Sequence, residues 1–130
     1  MRPLLRWLAL SVVMHACNCN DNADPNLTAC QLLEAVSPDQ QMISDALSAQ
    51  DAPTAIDRAM ALDQSILSIE NRATDPDIKG QAQAVDSDLG ALIADLQKSP
   101  PDFFNAGNAM TTVRNDMATL SAACSPYLTR

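Results

Sequence analysis

Apolar residues recur along this chain with the spacing of a helix face in four successive segments. Gaps of four and three residues alternate, which places the side chains on one side of an α-helix. Gln40 is the one polar member of the four stripes. The stripes are Ala29, Leu33, Val36, Gln40, Ile43 and Leu47; Ala55, Ala59, Leu62, Ile66, Ile69 and Ala73; Ile78, Ala82, Val85, Leu89, Leu92 and Leu96; Ala106, Met110, Val113, Met117, Leu120 and Cys124.

Prolines separate these segments and indicate where each helix begins. Proline is tolerated in the first helical turn, where its missing N–H would have no intrahelical partner. Asp24-Pro25, Ala52-Pro53, Asp75-Pro76 and Pro100-Pro101 stand at the four predicted starts. The sequence has three glycines and no alternating segment of β-branched or aromatic residues, so strands have no support.

Short connections between helices force sequence neighbours to be antiparallel. We therefore expect an all-α domain over residues 25–130, folded as an up-down-up-down four-helix bundle. Ser37 followed by Gln40 has the form of a capping box, and Pro38 lies between them. The first helix is expected to kink or split at Pro38.

The first sixteen residues have the organisation of a secretory signal peptide. Arg2 and Arg6 precede a short apolar stretch that ends at Met14. That stretch is far shorter than the ~20 residues of a membrane-spanning helix. Residues 1–16 are interpreted as a signal, and the polar residues 17–24 as a flexible tether.

Ala16 followed by Cys17 resembles the lipobox of bacterial lipoproteins, which ends in a small residue and a cysteine. The resemblance covers residues 1–17 only. It implies that the Cys17 thiol is diacylated and anchors the protein to the extracytoplasmic face of the cell membrane. Cleavage by ordinary signal peptidase, which would secrete the protein, and an uncleaved segment are the alternatives.

Charge and composition narrow the classes of partner. The chain carries a formal charge of −8 with a pI near 4.2, which argues against nucleic-acid binding because phosphates require clustered cations. Cleavage before Cys17 would remove Arg2, Arg6 and His15 and take the charge to −10. Aromatic residues make up 3% of the chain, so the core must be aliphatic and sugar-stacking sites are disfavoured.

The cysteines test the topology. In the predicted bundle the start of the first helix and the end of the fourth share one end, where Cys30 and Cys124 would meet. An exported protein favours a disulfide between them. If Cys17 is not lipidated, a bond from Cys17 or Cys19 to Cys30 competes.

Histidine content excludes several chemistries. His15 is the chain's single histidine and lies in the signal segment, so the mature chain holds no Ser-His-Asp or Cys-His pair. A di-iron bundle needs four Glu and two His, whereas only Glu34 and Glu70 are present. The cysteine spacing matches no zinc framework. We expect no catalytic residue, metal or cofactor.

The acidic residues and methionines have structural interpretations. Asp75, Asp77, Gly80 and Asp86 follow part of the spacing of a calcium loop, but Lys79 occupies a ligand position, so helix capping is favoured. The remaining central acids are interpreted as a solvated face: Asp57, Asp63, Asp86, Asp88 and Asp95. The methionines are interpreted as core fillers: Met42, Met60, Met110 and Met117.

Trp7 lies in the signal segment, so three aromatic residues remain in the rest of the chain. Phe103 and Phe104 are expected to staple the last helix to the core, or to form a contact patch if they are exposed. Tyr127 follows an expected helix break at Ser125-Pro126 and is expected to pack the C-terminal tail.

These observations together favour a lipid-anchored, non-catalytic binding protein of the bacterial cell envelope. Such a protein would recruit or block an envelope component or an incoming phage component; small phage-encoded lipoproteins share this plan. The alternative is a carrier of an apolar ligand or haem. The two bracketing cysteines are similar to those of actinobacterial haemophores, whose His-Pro element is missing here.

Overall fold

The computed structural model describes residues 24–129, so the predicted signal segment and Cys17 lie outside the described residues. Between these limits the chain is helical. The predicted four-helix bundle is confirmed, and its first helix is split at Ser37 and Pro38. The helices are α1 (Pro25–Val36), α2 (Asp39–Ser48), α3 (Ala52–Arg72), α4 (Pro76–Leu96) and α5 (Phe103–Leu128).

The helices follow one another around the bundle. Helix α4 packs between α3 and α5, while α1 and α2 together fill the remaining corner against α3 and α5. One end, the disulfide end, holds the start of α1, the end of α3, the start of α4 and the end of α5. The opposite or distal end holds the connections 49–51 and 97–102 and the start of α5. No helix among residues 24–129 is long and apolar enough to span a membrane.

The core is aliphatic, as the composition predicts. Every member of the three stripes predicted for α3, α4 and α5 is buried. The first stripe is only partly correct, because Gln40 and Leu47 are half-buried and Ala46 is buried instead. The break at Ser37 and Pro38 separates α2 from α1, so the spacing of α1 does not continue into α2.

Four aspartates cap the helices. Asp24, Asp51, Asp75 and Asp102 each accept a hydrogen bond from a backbone N–H of the first turn, over 2.8 to 3.2 Å. A side-chain cap of this kind stabilises a helix by about 1 kcal/mol. The last helix therefore begins at Phe103 after its Asp102 cap, two residues beyond the prolines predicted to start it.

The expected helix break at Ser125-Pro126 is wrong, since α5 continues through Pro126 to Leu128. Proline removes one intrahelical hydrogen bond and usually ends a helix. Here tertiary contacts hold the last turn. The Tyr127 hydroxyl donates to Asp75 Oδ2 over 2.6 Å, and Cys124 is bonded to α1 one turn earlier.

The Cys30–Cys124 disulfide is present, with the two Cα atoms 5.4 Å apart. Both residues are fully buried and join α1 to α5 at the disulfide end. The predicted pairing and the predicted topology are thus confirmed together, because the bond requires the two helix ends to be adjacent.

Asn26 supplies a second connection at this end. Its Oδ1 accepts hydrogen bonds from the backbone N–H groups of Thr74 and Asp75 at 2.8 and 3.0 Å, and its Nδ2 donates to Thr74 Oγ1. Among residues 24–129, Asn26 is the one polar residue that is buried. Its amide therefore fastens the start of α1 to the turn between α3 and α4.

Candidate functional site

The two phenylalanines at the start of α5 have different surroundings. Phe103 is partly buried and packs against the core. Phe104 is 79% exposed, the largest exposure among the big apolar side chains of residues 24–129. The staple expected of both residues is therefore made by Phe103, and Phe104 is left as the accessible half of the expected contact patch.

A shallow groove lies beside this helix start, between the end of α2 and the second and third turns of α5. Its volume is about 200 Å³. Leu47 and Met110 form apolar parts of its lining, and Gly107 contributes no side chain. Phe104 precedes Gly107 by three residues, which is about one helical turn. Gly107 is thus the lining residue nearest to Phe104 in the sequence, and the groove runs from there towards Arg114 near the middle of the bundle.

The polar lining of the groove consists of one guanidinium and three hydroxyl groups. Arg114 crosses from α5 and donates to the Ser44 hydroxyl on α2. Ser48 and Thr111 add two further hydroxyl groups. Among the described residues that line the groove, none is a carboxylate, and Arg114 forms no ion pair with a carboxylate of residues 24–129.

Two pairs of carboxyl groups lie midway along the bundle, both involving α4. Asp63 of α3 lies within hydrogen-bonding reach of Asp86 across the α3–α4 contact. Burial, followed by this hydrogen bond and the Asp86 charge, raises the pKa of Asp63 to about 7. Asp63 Oδ1 is sealed from solvent and has no hydrogen-bond donor among the described residues.

The second pair repeats this arrangement across the α4–α5 contact. Asp88 faces Asp116, and burial together with the neighbouring carboxyl raises the pKa of Asp88 to about 6. Asp88 Oδ2 is likewise sealed and has no donor within residues 24–129. Two ionised carboxylates cannot hydrogen-bond to each other, but a single shared proton permits it and removes half of the charge.

The interpretation of the central acids as one solvated face is therefore wrong for Asp63, Asp86 and Asp88. Asp57 is exposed, whereas these three side chains are half-buried at helix contacts. Asp95 is also half-buried, and its carboxylate pairs with Lys98. A raised carboxyl pKa is a feature of many acid–base catalysts. Neither pair lines the groove, which lies at the α2–α5 contact.

The other candidate ligands are used structurally. Asp75 caps α4, and the Tyr127 hydroxyl bond is the main cause that lowers its pKa. Within residues 24–129, no group of three or more His, Cys, Asp or Glu side chains could hold a metal ion. Met110 and Met117 are core residues as expected. Met42 and Met60 are 44% and 47% exposed, so the core interpretation is wrong for them.

Sequence reasoning missed the polar lining of the groove. Arg114 stands at a flanking position of the α5 stripe, one residue after the buried Val113. Which residue of α2 Arg114 contacts depends on where α2 lies after the break in the first helix. The hydrophobic periodicity does not predict that position. A cation among so many acids was the available signal: residues 24–129 hold fifteen carboxylates and five Lys or Arg.

The fold and these surfaces define an acidic, disulfide-linked four-helix bundle. No known protein family, characterised protein or solved structure matches the chain.

Proposed function

We propose that this protein is an exported, lipid-anchored interaction module without catalytic activity, which binds an envelope component or an incoming phage component through its distal end. Lipid on Cys17 is the proposed anchor, and residues 18–23 together with Asp24 are the tether. The exposure of Phe104 is the observation that carries the proposal.

The positions of the tether and of Phe104 support an outward-facing contact surface. The tether joins the bundle at Asp24, at the disulfide end, whereas Phe104 lies at the opposite end. The long helices contain 21 residues, so the two ends are about 30 Å apart. A bundle attached at one end leaves the other end free to face away from the membrane.

A large, nearly fully exposed aromatic ring favours contact with another macromolecule. Burial of such a ring at an interface stabilises a complex through removal of apolar surface from water, and aromatic residues are enriched among interface anchors. In this chain Phe104 is exposed while the adjacent Phe103 is packed. The fold does not need the Phe104 ring, which leaves it for a partner.

The groove gives no support to the alternative of a carrier for an apolar ligand or haem. Pockets that hold small organic ligands usually enclose about 300–1,000 Å³. The α2–α5 groove measures about 200 Å³ and is open to solvent. It has room for a single side chain of a partner.

A pair of variants tests the contact surface. Full-length protein in its membrane is cross-linked to its neighbours, and Phe104→Ala is compared with Met60→Ala, which removes an exposed apolar side chain from the face of α3. We expect a cross-linked adduct of defined mass for the wild type and Met60→Ala, and its loss for Phe104→Ala. An adduct that survives in Phe104→Ala contradicts the proposal.

The anchor has a separate test. Cys17→Ser removes the proposed lipid attachment and should release the protein into the medium. Cys19→Ser, two residues away, is the control and should remain in the membrane fraction. Retention of Cys17→Ser in the membrane would overturn the lipid anchor without bearing on the contact surface.

A further inference from the structure

We infer that the α2–α5 groove binds a carboxylate of the partner, presented on a peptide segment that also covers Phe104. The inference rests on the proposed function and adds the chemistry of the ligand. It starts from the charge of the groove, which is opposite to that of the chain around it.

The polar side chains of the groove are one guanidinium, which only donates, and three hydroxyl groups, which can donate or accept. Arg114 has several N–H groups and uses one guanidinium nitrogen for Ser44. The Ser44 and Ser48 hydroxyl groups can also donate to an incoming oxygen, whereas the Thr111 hydroxyl donates to the Gly107 carbonyl over 3.2 Å. A carboxylate is the acceptor whose two oxygens match the planar guanidinium.

The volume and the apolar lining of the groove limit the size of the group that can carry the carboxylate. A volume of about 200 Å³ holds one side chain or one chain terminus. Leu47 and Met110 provide apolar contact for the methylene groups that carry the carboxylate, and the absent side chain at Gly107 leaves the approach open. A glutamate side chain or a C-terminal residue has these dimensions.

The charge of the chain favours a monoanion over a phosphate dianion. The protein has a formal charge of −8, so every added negative charge on a ligand meets long-range repulsion. Arg114 supplies one local positive charge against it. A carboxylate receives this local attraction with the smallest opposing repulsion, and apolar contacts with Phe104 and Leu47 add to it.

Blocked dipeptides on the purified full-length protein test the inference. The probes are acetyl-Leu-Glu-amide, its neutral counterpart acetyl-Leu-Gln-amide, and acetyl-Leu-Leu with a free carboxyl terminus. Binding is followed by the amide NMR shifts of Ser48, Gly107 and Thr111. We expect saturable shifts with one or both carboxylate peptides and binding at least about tenfold weaker with the amide, since a charge-assisted bond is lost. Comparison of the two acids distinguishes a side-chain from a terminal carboxylate.

Variants assign the binding to Arg114. Arg114→Gln should weaken carboxylate binding at least about tenfold, to the level of the neutral peptide. Arg72→Gln makes the same charge change at the disulfide end and should leave binding unchanged. Equal binding of acid and amide peptides to the wild-type protein overturns the inference, and so does unchanged binding in Arg114→Gln. The peptide comparison needs no variant, so it stands even if Arg114→Gln unfolds.

The two proposals fail separately. If the adduct requires Phe104 but neither carboxylate peptide binds the groove, the interaction module stands and the ligand chemistry is wrong. If the carboxylate peptides bind through Arg114 but the adduct does not require Phe104, the groove is a carboxylate site and the proposed contact surface is wrong.

Discussion

The two ends of this bundle are built differently. At the disulfide end, a buried covalent bond, the three hydrogen bonds of Asn26 and the Tyr127–Asp75 bond join α1, α5 and the turn between α3 and α4. At the distal end, the described ion pairs are the exposed contacts of Lys98 with Asp95 and Asp102. Exposed pairs of this kind contribute little to stability.

The disulfide end thus stabilises the fold, whereas the distal end leaves surface available for a partner. Residues at the disulfide end have their polar groups and apolar surface occupied by other parts of the chain. Phe104 at the distal end and the groove that runs from Gly107 to Arg114 have unused binding capacity. The following substitutions are expected to destabilise the protein strongly at the first end and weakly at the second.

The largest expected effect follows loss of the disulfide. The Cys30→Ala, Cys124→Ala double variant should lower the free energy of unfolding by about 4–5 kcal/mol, because the bond closes a long loop in the unfolded chain. The sequence separation of 94 residues sets this value. Chemical denaturation measures it. A loss below about 1 kcal/mol would contradict the importance given to this end.

Asn26→Ala should have the next largest effect, of about 2–3 kcal/mol, since it removes three hydrogen bonds and leaves two part-buried backbone N–H groups without their acceptor. Asn115→Ala alters an exposed asparagine within α5 and should change stability by less than about 0.5 kcal/mol. Denaturation of the two variants side by side measures the difference. Similar values would show that the Asn26 bonds add nothing.

The carboxyl pairs between the two ends predict an unusual pH dependence. The pKa values of Asp63 and Asp88 are raised to about 7 and about 6, so the folded protein holds protons that the unfolded chain has released. Stability should therefore fall as pH rises from about 4 to 7. The lowered pKa values of Asp75 and Asp102 act oppositely, and their stabilisation is lost below about pH 4.

Thermal melts between pH 4 and 8 test this prediction. We expect the highest Tm near pH 4–5 and a decline towards pH 8 of the order of 1 kcal/mol, because half-exposed carboxyl groups are partly screened. Asp63→Asn with Asp88→Asn should remove most of the decline, while Asp57→Asn, an exposed acid of α3, should keep it. A Tm that rises from pH 5 to 8 would mean that the pairs do not share protons.

The smallest expected effect is at the distal end. Phe104→Ala should change stability by less than about 0.5 kcal/mol, because the ring is already in water. Phe103→Ala should cost about 1–2 kcal/mol, since that ring packs on the core. Denaturation of both variants compares adjacent residues of identical chemistry. Equal losses would place Phe104 in the fold and remove it from the contact surface.

The sequence predicted the inside of this bundle better than its surface. The stripes of α3, α4 and α5 were found because burial repeats with the helical period and because prolines and aspartates mark the helix starts. The disulfide followed from topology. At Pro126 the local preference of proline was overridden by the neighbouring Tyr127 and Cys124 contacts, which are tertiary.

The residues of the candidate site could not be predicted without the relative positions of the helices. Asp57 and Asp63 are both aspartates of α3. The register of α3 against α4 brings Asp63, and not Asp57, next to a second carboxyl group. Arg114 reaches Ser44 only through the placement of α2 after the break at Pro38. Period and composition do not encode these distances. For Phe103 and Phe104, the sequence located the pair but could not tell which ring is buried.

The central claim is that the distal end makes contact with a partner while the disulfide end does not. Its most direct measurement places the photo-cross-linking residue p-benzoylphenylalanine at Phe104 or, as a control, at the exposed Asn71 beside the disulfide end. Both full-length proteins are irradiated in intact cells that express them. We expect a defined adduct from position 104 and none from position 71. Adducts of equal yield from both positions, or an adduct from position 71 alone, would contradict the account.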